Sequence, residues 1–488
     1  MSERWWESAV FYQVYPRSFQ DSNGDGIGDL EGVRQRLDHL QWLGVDAIWL
    51  TPIMPSPDDD CGYDVSDYRD VHPELGTLDD LDRLLHDAEA RGIRVLLDVV
   101  PNHTSDRHPW FRDPAREDWY VWTDRPNNWV SVFGGPAWDF DQQRGRYYLH
   151  QYLPSQPDLD WWNPAVRREF LEILRFWFDR GVAGFRIDTA NRIIKDRELR
   201  DNPPVTPDMH PVAARLGQRP LYTTDRPEVH DIYREWRRLC QTYTPERALV
   251  GETWFFDLQR LAAYYGDDDE LQLCFNFLLT HSAFQADVMR GVVESTELAL
   301  PAFAWPCWAL SNHDVSRFVT RWCGGDERRA RVAMTMLLTL RGAPFVYQGD
   351  EIALTDQPVP PERKRDPLDL RMPGRGRGRD PERTPMPWAA GPGAGFTEPG
   401  VEPWLPIGSD WRSVADQRAD PGSFLNFTRG LLAQRRANPD LRSGAYQTLE
   451  SPPGVWRYQR GAGTVVTLDF ERWEARIESS SAGGGTDS

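Results

Sequence analysis

"IRVLLDVV", residues 93 to 100, is a short run of branched apolar residues broken only by Arg94 and Asp98, and it leads directly into "PNHTS" (101 to 105). Such a run, apolar on both faces, suits a strand inside a parallel sheet, where no alternation of polar and apolar residues is required. The same kind of run recurs on both sides of it. "AVFYQVY" (9 to 15) and "VDAIWL" (45 to 50) come before; "VAGFRID" (182 to 188), "ALVGE" (248 to 252), "LCFNF" (273 to 277), "FAWPCWALSNHD" (303 to 314) and "APFVYQGDE" (343 to 351) come after. Amphipathic segments fill the gaps, among them "LEGVRQRLDHLQWLG" (30 to 44) and "LDDLDRLLHDAEARG" (78 to 92), each closing on a glycine that can stop a helix. Eight strands alternating with helices predict an α/β fold, a closed parallel (β/α)8 barrel, with an open doubly wound sheet as the alternative.

Two connections are too long for that plan. About 80 residues from Thr104 to Gly181, rich in Trp, Pro, Asn and Gly, precede and include the helix "PAVRREFLEILRFWFDRG", and their aromatic content predicts an ordered insertion rather than a disordered one. A second irregular stretch runs from Leu354 to about Arg412, and its basic, proline-rich part "PVPPERKRDPLDLRMPGRGRGRD" (358 to 380) reads as a solvated loop. After "FLNFTRGLLAQRRANPDL" (424 to 441) there is room for a few strands only, and "SSSAGGGTDS" (479 to 488) is expected to be disordered. The expected division is a barrel over 1–103 and 176–437, an inserted subdomain over 104–175, an abbreviated C-terminal β domain over 438–478 and a tail over 479–488.

The net charge of −19, without a dense Lys/Arg cluster, argues against nucleic acid or an anionic membrane surface as partner and for a small neutral ligand. Twenty-two Trp and sixteen Tyr supply faces suited to sugar rings as well as to a core. The five cysteines (Cys61, Cys240, Cys274, Cys307, Cys323) show neither disulfide nor zinc spacing. No signal-like apolar run opens the chain, and no stretch of about 18 uninterrupted apolar residues could cross a bilayer. A soluble cytoplasmic protein is the expectation; the sequence leaves its oligomeric state open.

The chemistry collects where the candidate strands end, which in a barrel of this kind is the face that carries the site. "DVVPNHTS" ends in Asp98, Asn102 and His103, "FRIDTAN" holds Arg186 and Asp188, "GETW" holds Glu252, and "SNHD" holds His313 and Asp314. Carboxylates from separate strands facing one cavity repel and desolvate each other, so one can be ionised while another keeps a proton. That arrangement can cleave an acetal: a nucleophile on one side of the glycosidic bond and an acid on the leaving oxygen, about 5–5.5 Å apart when configuration is retained. Each residue alone could equally be a helix cap; the set is poorly explained that way.

"QDSNGDGIGDL" (20 to 30) places oxygen donors Asp21, Asn23, Asp25 and Asp29 on a loop that Gly24, Gly26 and Gly28 allow to curl. This is a donor pattern for a hard cation such as Ca²⁺, although an Asx-rich surface turn has the same residues.

"DVVPNHTS", "GFRIDTAN", "GETW" and "SNHD", in that order, resemble the four signature regions of the α-amylase superfamily, glycoside hydrolase family 13. "QPDLDWWNP" (156 to 164) and "GRDPERTPMPW" (378 to 388) are similar to further signatures of its α-glucosidase and oligo-1,6-glucosidase branch, with Asp160 standing where that branch has Asn. The resemblance covers about residues 5 to 440. It implies a barrel with an inserted domain B after the third strand and a small C-terminal β domain. It further implies Asp188 as nucleophile, Glu252 as general acid/base and Asp314 as the third carboxylate, holding the sugar's 2- and 3-hydroxyls. Arg186 would orient the nucleophile, Asp98 would be its structural partner, His103 and His313 would hydrogen-bond the ring, and Tyr63 would stack beneath it. Asp60 and Arg379 would form an ion pair closing the pocket, and Thr189, next to the nucleophile, would favour α-1,4 over α-1,6 linkages. Asp21, Asn23, Asp25, the Ile27 carbonyl and Asp29 would hold a structural Ca²⁺, with no organic cofactor. The expected function is a retaining, exo-acting α-glucosidase on short α-1,4-linked oligosaccharides such as maltose, with possible glucosyl transfer. The alternatives are oligo-1,6-glucosidase, sucrose hydrolase, trehalose synthase, a glucosyltransferase and, more remotely, a non-catalytic relative.

Overall fold

A computed structural model describes residues 4–375 and 378–479. The first three strands are β1 (Phe11–Val14), β2 (Ala47–Leu50) and β3 (Arg94–Val99); β4 (Trp122–Thr123), β5 (Trp138–Asp141) and β6 (Arg146–Leu149) follow in the long insertion. The chain then returns through β7 (Gly184–Ile187), β8 (Ala248–Gly251), β9 (Leu273–Cys274), β10 (Cys307–Ala309) and β11 (Ala343–Tyr347). It ends in β12 (Tyr446–Leu449), β13 (Val455–Arg460), β14 (Thr464–Asp469) and β15 (Glu474–Ser479).

All eight apolar runs become parallel strands, hydrogen-bonded in the order β10-β11-β1-β2-β3-β7-β8-β9. A parallel bridge between Phe275 and Cys307 joins the two ends, so the sheet closes into a barrel. The closure is thin because the strands on either side of it are short: Asn276 already caps the next helix, and Pro306 has no N–H to extend β10. Inside, Phe11, Trp49, Leu96, Val250, Phe275 and Phe345 fill the lumen, with Phe11 and Phe345 stacked at 4.4 Å. Gly184 is needed where β7 meets β8, since a Cβ there would lie 2.3 Å from the Ala248 carbonyl oxygen.

The segment Leu78–Ala90 forms one helix started by a Thr77–Asp80 capping box. The segment expected as one helix over 30 to 44 is two, Leu30–Gln35 and Leu37–Leu43, split at Arg36. The Arg36 side chain is drawn to Gln20 and lies over the Trp388 ring at 4.2 Å, which ties the break to the loop beyond β11.

In the insertion β4, β6 and β5 make a small antiparallel sheet over its own cluster of Trp129, Ala137, Trp138 and Leu149. A boundary at 175 falls inside the helix Pro164–Asp179, whose Val166, Phe170, Ile173 and Leu174 belong to the main core, so the insertion ends by Asn163. The C-terminal strands form a four-stranded antiparallel meander. Alternate residues of β13 and β14 (Trp456, Tyr458, Val466, Leu468) are buried in the main core, and the guanidinium of Arg460 donates to the Thr339 carbonyl. Ser479 closes β15 and so does not belong to a tail; residues 480–488 lie outside the described residues.

The stretch after β11 departs most from expectation. It is not a solvated loop throughout: Asp366, Asp380 and Arg383 have no solvent exposure at all. It folds back over the open end of the barrel, where Arg383 donates to the His313 carbonyl at 2.7 Å.

Candidate active site

Arg186 on β7 is the centre of the first of two charge clusters. Its side chain is buried, and Nη1 donates to Asp98 at 2.8 and 3.0 Å and to Asp188 at 2.9 Å, while Nη2 lies 2.8 Å from Glu252. The register explains the convergence: Asp98 pairs directly with Arg186 across β3 and β7, Asp188 follows two residues later on the same face, and Glu252 follows Gly251, the partner of Ile187. Three carboxylates therefore share one guanidinium. Burial, reinforced by Glu252, Asp98 and Asp314, pushes Asp188 well above the ordinary carboxylate range against the pull of Arg186. Burial raises Asp98 too.

Glu252 receives two more donors. The Thr189 amide reaches its Oε2 at 2.7 Å and the Trp254 indole its Oε1 at 2.8 Å. Thr189 can aim its amide this way because its backbone is left-handed, with φ of 46°. For a β-branched residue that conformation costs on the order of 1–3 kcal/mol. Its hydroxyl is buried without a hydrogen-bond partner.

The second cluster gathers around Arg379. Its guanidinium grips Asp366 with Nε at 3.0 Å and Nη2 at 2.7 Å, meets Asp314 at 2.8 Å and reaches Asp60 at 3.1 Å. Arg383 adds a second bond to the same Asp314 oxygen at 2.8 Å. Burial alone would raise Asp314, but His313, Arg379, Arg383 and Arg186 hold it well below the usual range. At Asp60 burial wins over Arg379 and Arg383, and its carboxyl is pushed up to about 6.

Tyr63 and His313 join the clusters. Gln13 donates to Nδ1 of His313 at 2.7 Å, which leaves the ring proton on Nε2, facing the Tyr63 hydroxyl at 2.5 Å and Asp314 at 3.2 Å. Tyr63 passes the chain on by donating to Asp98 at 3.1 Å. Burial drives His313 far below its normal range, so it is a neutral donor. The Tyr63 and His313 rings are parallel within 4°, their centroids 5.5 Å apart. On the insertion side, Gln156 donates to Asp60 at 3.2 Å, and His103, lowered to about 4 by burial, lies 3.1 Å from the Tyr63 carbonyl.

The structure thus brings together Asp60, Tyr63, His103, Arg186, Asp188, Thr189, Glu252, His313, Asp314 and Arg379. The sequence reading missed Asp366, Arg383, Gln156, Gln13 and Trp254. Gln156 and Arg383 lie inside quoted signatures and Trp254 two residues after Glu252, a visible signal; Asp366 sits in an unremarkable "KRDP", where nothing marked it.

Asp21, Asn23, Asp25, Ile27 and Asp29 stand apart from this site. Asp21 accepts from the amides of Asn23, Gly24 and Gly26, Asn23 from Asp25, and Asp25 from Ile27, so the loop is curled by its own Asx turns. Asp29 caps the helix Leu30–Gln35 and binds Ser22. Among the described residues, the one group of three or more acidic, His or Cys ligand atoms within 4.8 Å of one another is Asp58, His72 and Glu74. The Arg17 guanidinium already fills that group, at 2.7 Å from Asp58 and 3.0 Å from Glu74.

The sequence model of the alpha-amylase catalytic domain matches residues 13–444. The chain belongs to that family. It is 42% identical to a probable alpha-glucosidase of Rhizobium meliloti, covering 94% of this chain and 87% of the relative, and 36% identical to an oligo-1,6-glucosidase of Parageobacillus thermoglucosidasius, covering 96% and 91%. Among solved structures it is similar to the alpha-glucosyl transfer enzyme XgtA, with TM-score 0.90, 40% identity and 96% of this chain and 91% of that one covered. Isomaltulose synthase from Klebsiella sp. LX3 superposes with TM-score 0.87 at 33% identity, covering 96% and 92%. Family membership agrees with the barrel, and no helix among the described residues is long and apolar enough to cross a membrane.

Proposed function

We propose that this protein is a retaining, exo-acting α-glucosidase that removes glucose from the non-reducing end of short α-1,4-linked oligosaccharides. The observation that carries the proposal is the convergence of Asp98, Asp188 and Glu252 on Arg186 beside the Asp60–Arg379–Asp314 group. Asp188 attacks the anomeric carbon, Glu252 protonates the leaving oxygen, and the resulting glucosyl ester on Asp188 is hydrolysed by a water that Glu252 deprotonates. With three carboxylates to one guanidinium, burial pushes Asp188 up in the resting arrangement, so its proton must leave before attack; Arg186, touching both Asp188 and Glu252, can then stabilise negative charge on the nucleophile. In the resting arrangement both Glu252 oxygens are occupied by donors. One must be released toward the glycosidic oxygen when substrate enters. Asp314, held ionised, accepts hydroxyls of the glucose ring, and Arg379 with Asp60 grips its far end and limits entry to chain ends.

A sugar hydroxyl in place of water would turn the same ester into a transfer product, and the names of the relatives support hydrolysis and transfer alike. Incubation with maltose, isomaltose, sucrose, trehalose and starch, followed by NMR, tests the reading: release of the non-reducing-end glucose as the β-anomer before mutarotation, read on sucrose where glucose has no other source, or rapid starch cleavage, would refute it. We further propose a cytoplasmic location, supported by five buried free thiols.

We also propose a structural Ca²⁺ at the 21–29 loop, supported by its donor chemistry. The carboxylates of Asp21, Asp25 and Asp29 do not converge, so binding would exchange Asx hydrogen bonds for ligands; the ion would brace the loop and take no part in bond cleavage. Chelation should lower the melting temperature while leaving activity at moderate temperature, and an unchanged melting temperature would remove the ion from the account.

A further inference from the structure

A cavity of about 590 Å³ lies outside the two charge clusters, between the start of the insertion and the "DWWNPAV" turn. Its volume is within the range of small-ligand sites. Trp122 and Trp162 line it, both half-buried, so aromatic surface remains open to the cavity. Trp162 is fixed: its indole donates to the Lys195 carbonyl at 2.9 Å and Arg197 lies 5.6 Å from its ring centre. Asp160 lines the same space. One of its oxygens accepts the Trp162 amide at 3.0 Å, and the other accepts no hydrogen bond among the described residues. Arg146, Arg197 and Glu117 complete a rim of both charge signs. Rigid aromatic faces flanked by charged hydrogen-bonding groups of both signs match a neutral polyol with apolar ring faces, and four acids (Glu117, Asp118, Asp160, Asp196) against three bases (Arg146, Lys195, Arg197) disfavour an anionic ligand.

We propose that this cavity is a second, non-catalytic saccharide site that takes the same short glucosides, with Trp162 as platform and Asp160 as hydroxyl acceptor. The choice of ligand rests on the glucosidase reading. The site is close to the catalytic one: Lys195, which lines the cavity, donates to Asn102 at 2.7 Å, and Asn102 lies 3.1 Å from the His103 ring.

Calorimetric titration of the Glu252→Gln protein with maltose tests it. Two sites are expected, falling to one when Trp162→Ala is added. Asp160→Asn, which keeps the turn to Trp162, should weaken the second site at least fivefold and leave the first unchanged, and it serves if Trp162→Ala fails to fold. One site in Glu252→Gln, or two undiminished sites in either double variant, would overturn this proposal and leave the glucosidase reading standing. No binding in Glu252→Gln would overturn both.

Discussion

The two clusters at the open end of the barrel are built from the same groups in different proportions. Around Arg186 three carboxylates share one guanidinium; around Arg379 and Arg383 three carboxylates, Asp60, Asp314 and Asp366, share two. The first set is acid-rich and keeps a proton, and Asp188 is pushed up; the second is closer to balance, and Asp314 is held down. The unequal ratio divides the labour. A site that must move a proton is left short of counter-charge, whereas a site that must only grip hydroxyls is supplied with it.

The largest effect should come from the acid-rich side. Asp188→Asn and Glu252→Gln should each lower kcat by about a thousandfold or more with the melting temperature little changed, because each removes a bond-making or proton-moving group. A loss of only severalfold in steady-state kinetics would erase the distinction between the clusters. On the balanced side, Arg379→Ala should act on KM, raising it for maltose about tenfold to a hundredfold, since it also strands the buried Asp366 without its forked partner. A fall in kcat at unchanged KM would move Arg379 into the chemistry.

Thr189 joins the two functions: its amide serves Glu252 and its side chain adjoins the nucleophile. Its hydroxyl has no protein partner, so Thr189→Val removes nothing the fold uses. The variant should change the maltose-to-isomaltose ratio of kcat/KM about tenfold in favour of isomaltose, the scale of a single pocket group. An unchanged ratio would leave linkage choice to other loops.

The smallest effect is on stability. Asp60 takes its proton at about 6 when folded, against about 3.9 in an unfolded chain. The folded state therefore binds more protons between those values, and the stability this group contributes is present below the lower one and lost as pH rises through 6. Replacing Asp60 with Asn removes that slope. The melting temperature of the wild type relative to the variant should fall by about 1–3 °C from pH 4 to pH 7. A difference independent of pH would show that Asp60 titrates alike in the folded and unfolded chain.

How much of this was legible in sequence follows the same division. The Arg186 cluster is legible because strand period and register are local rules: Arg186 and Asp188 two apart must share a face, and each lies at the end of an apolar run. The Arg379 cluster is not, because its members come from irregular segments whose path no periodicity fixes. Asp366 looked like part of a solvated basic loop, and its burial is set by Arg379 thirteen residues later and by Asp60 and Asp314 across the barrel mouth. The split helix at Arg36 is hidden for the same reason, since its side chain is held by Gln20 and by Trp388, the latter far along the chain. The left-handed Thr189 was equally silent, as nothing in "RIDTAN" marks a strained backbone.

The central claim is that the acid-rich cluster makes and breaks a covalent bond to sugar at Asp188, and the most direct measurement is to trap that bond. Incubating the protein with a slow fluorinated glucosyl donor and mapping the modified peptide by mass spectrometry should place one glucosyl unit on Asp188, with none on the Asp188→Asn protein. Label on Glu252, Asp98 or Asp314 instead, or turnover of natural substrate to the inverted anomer with no residue labelled, would contradict the account.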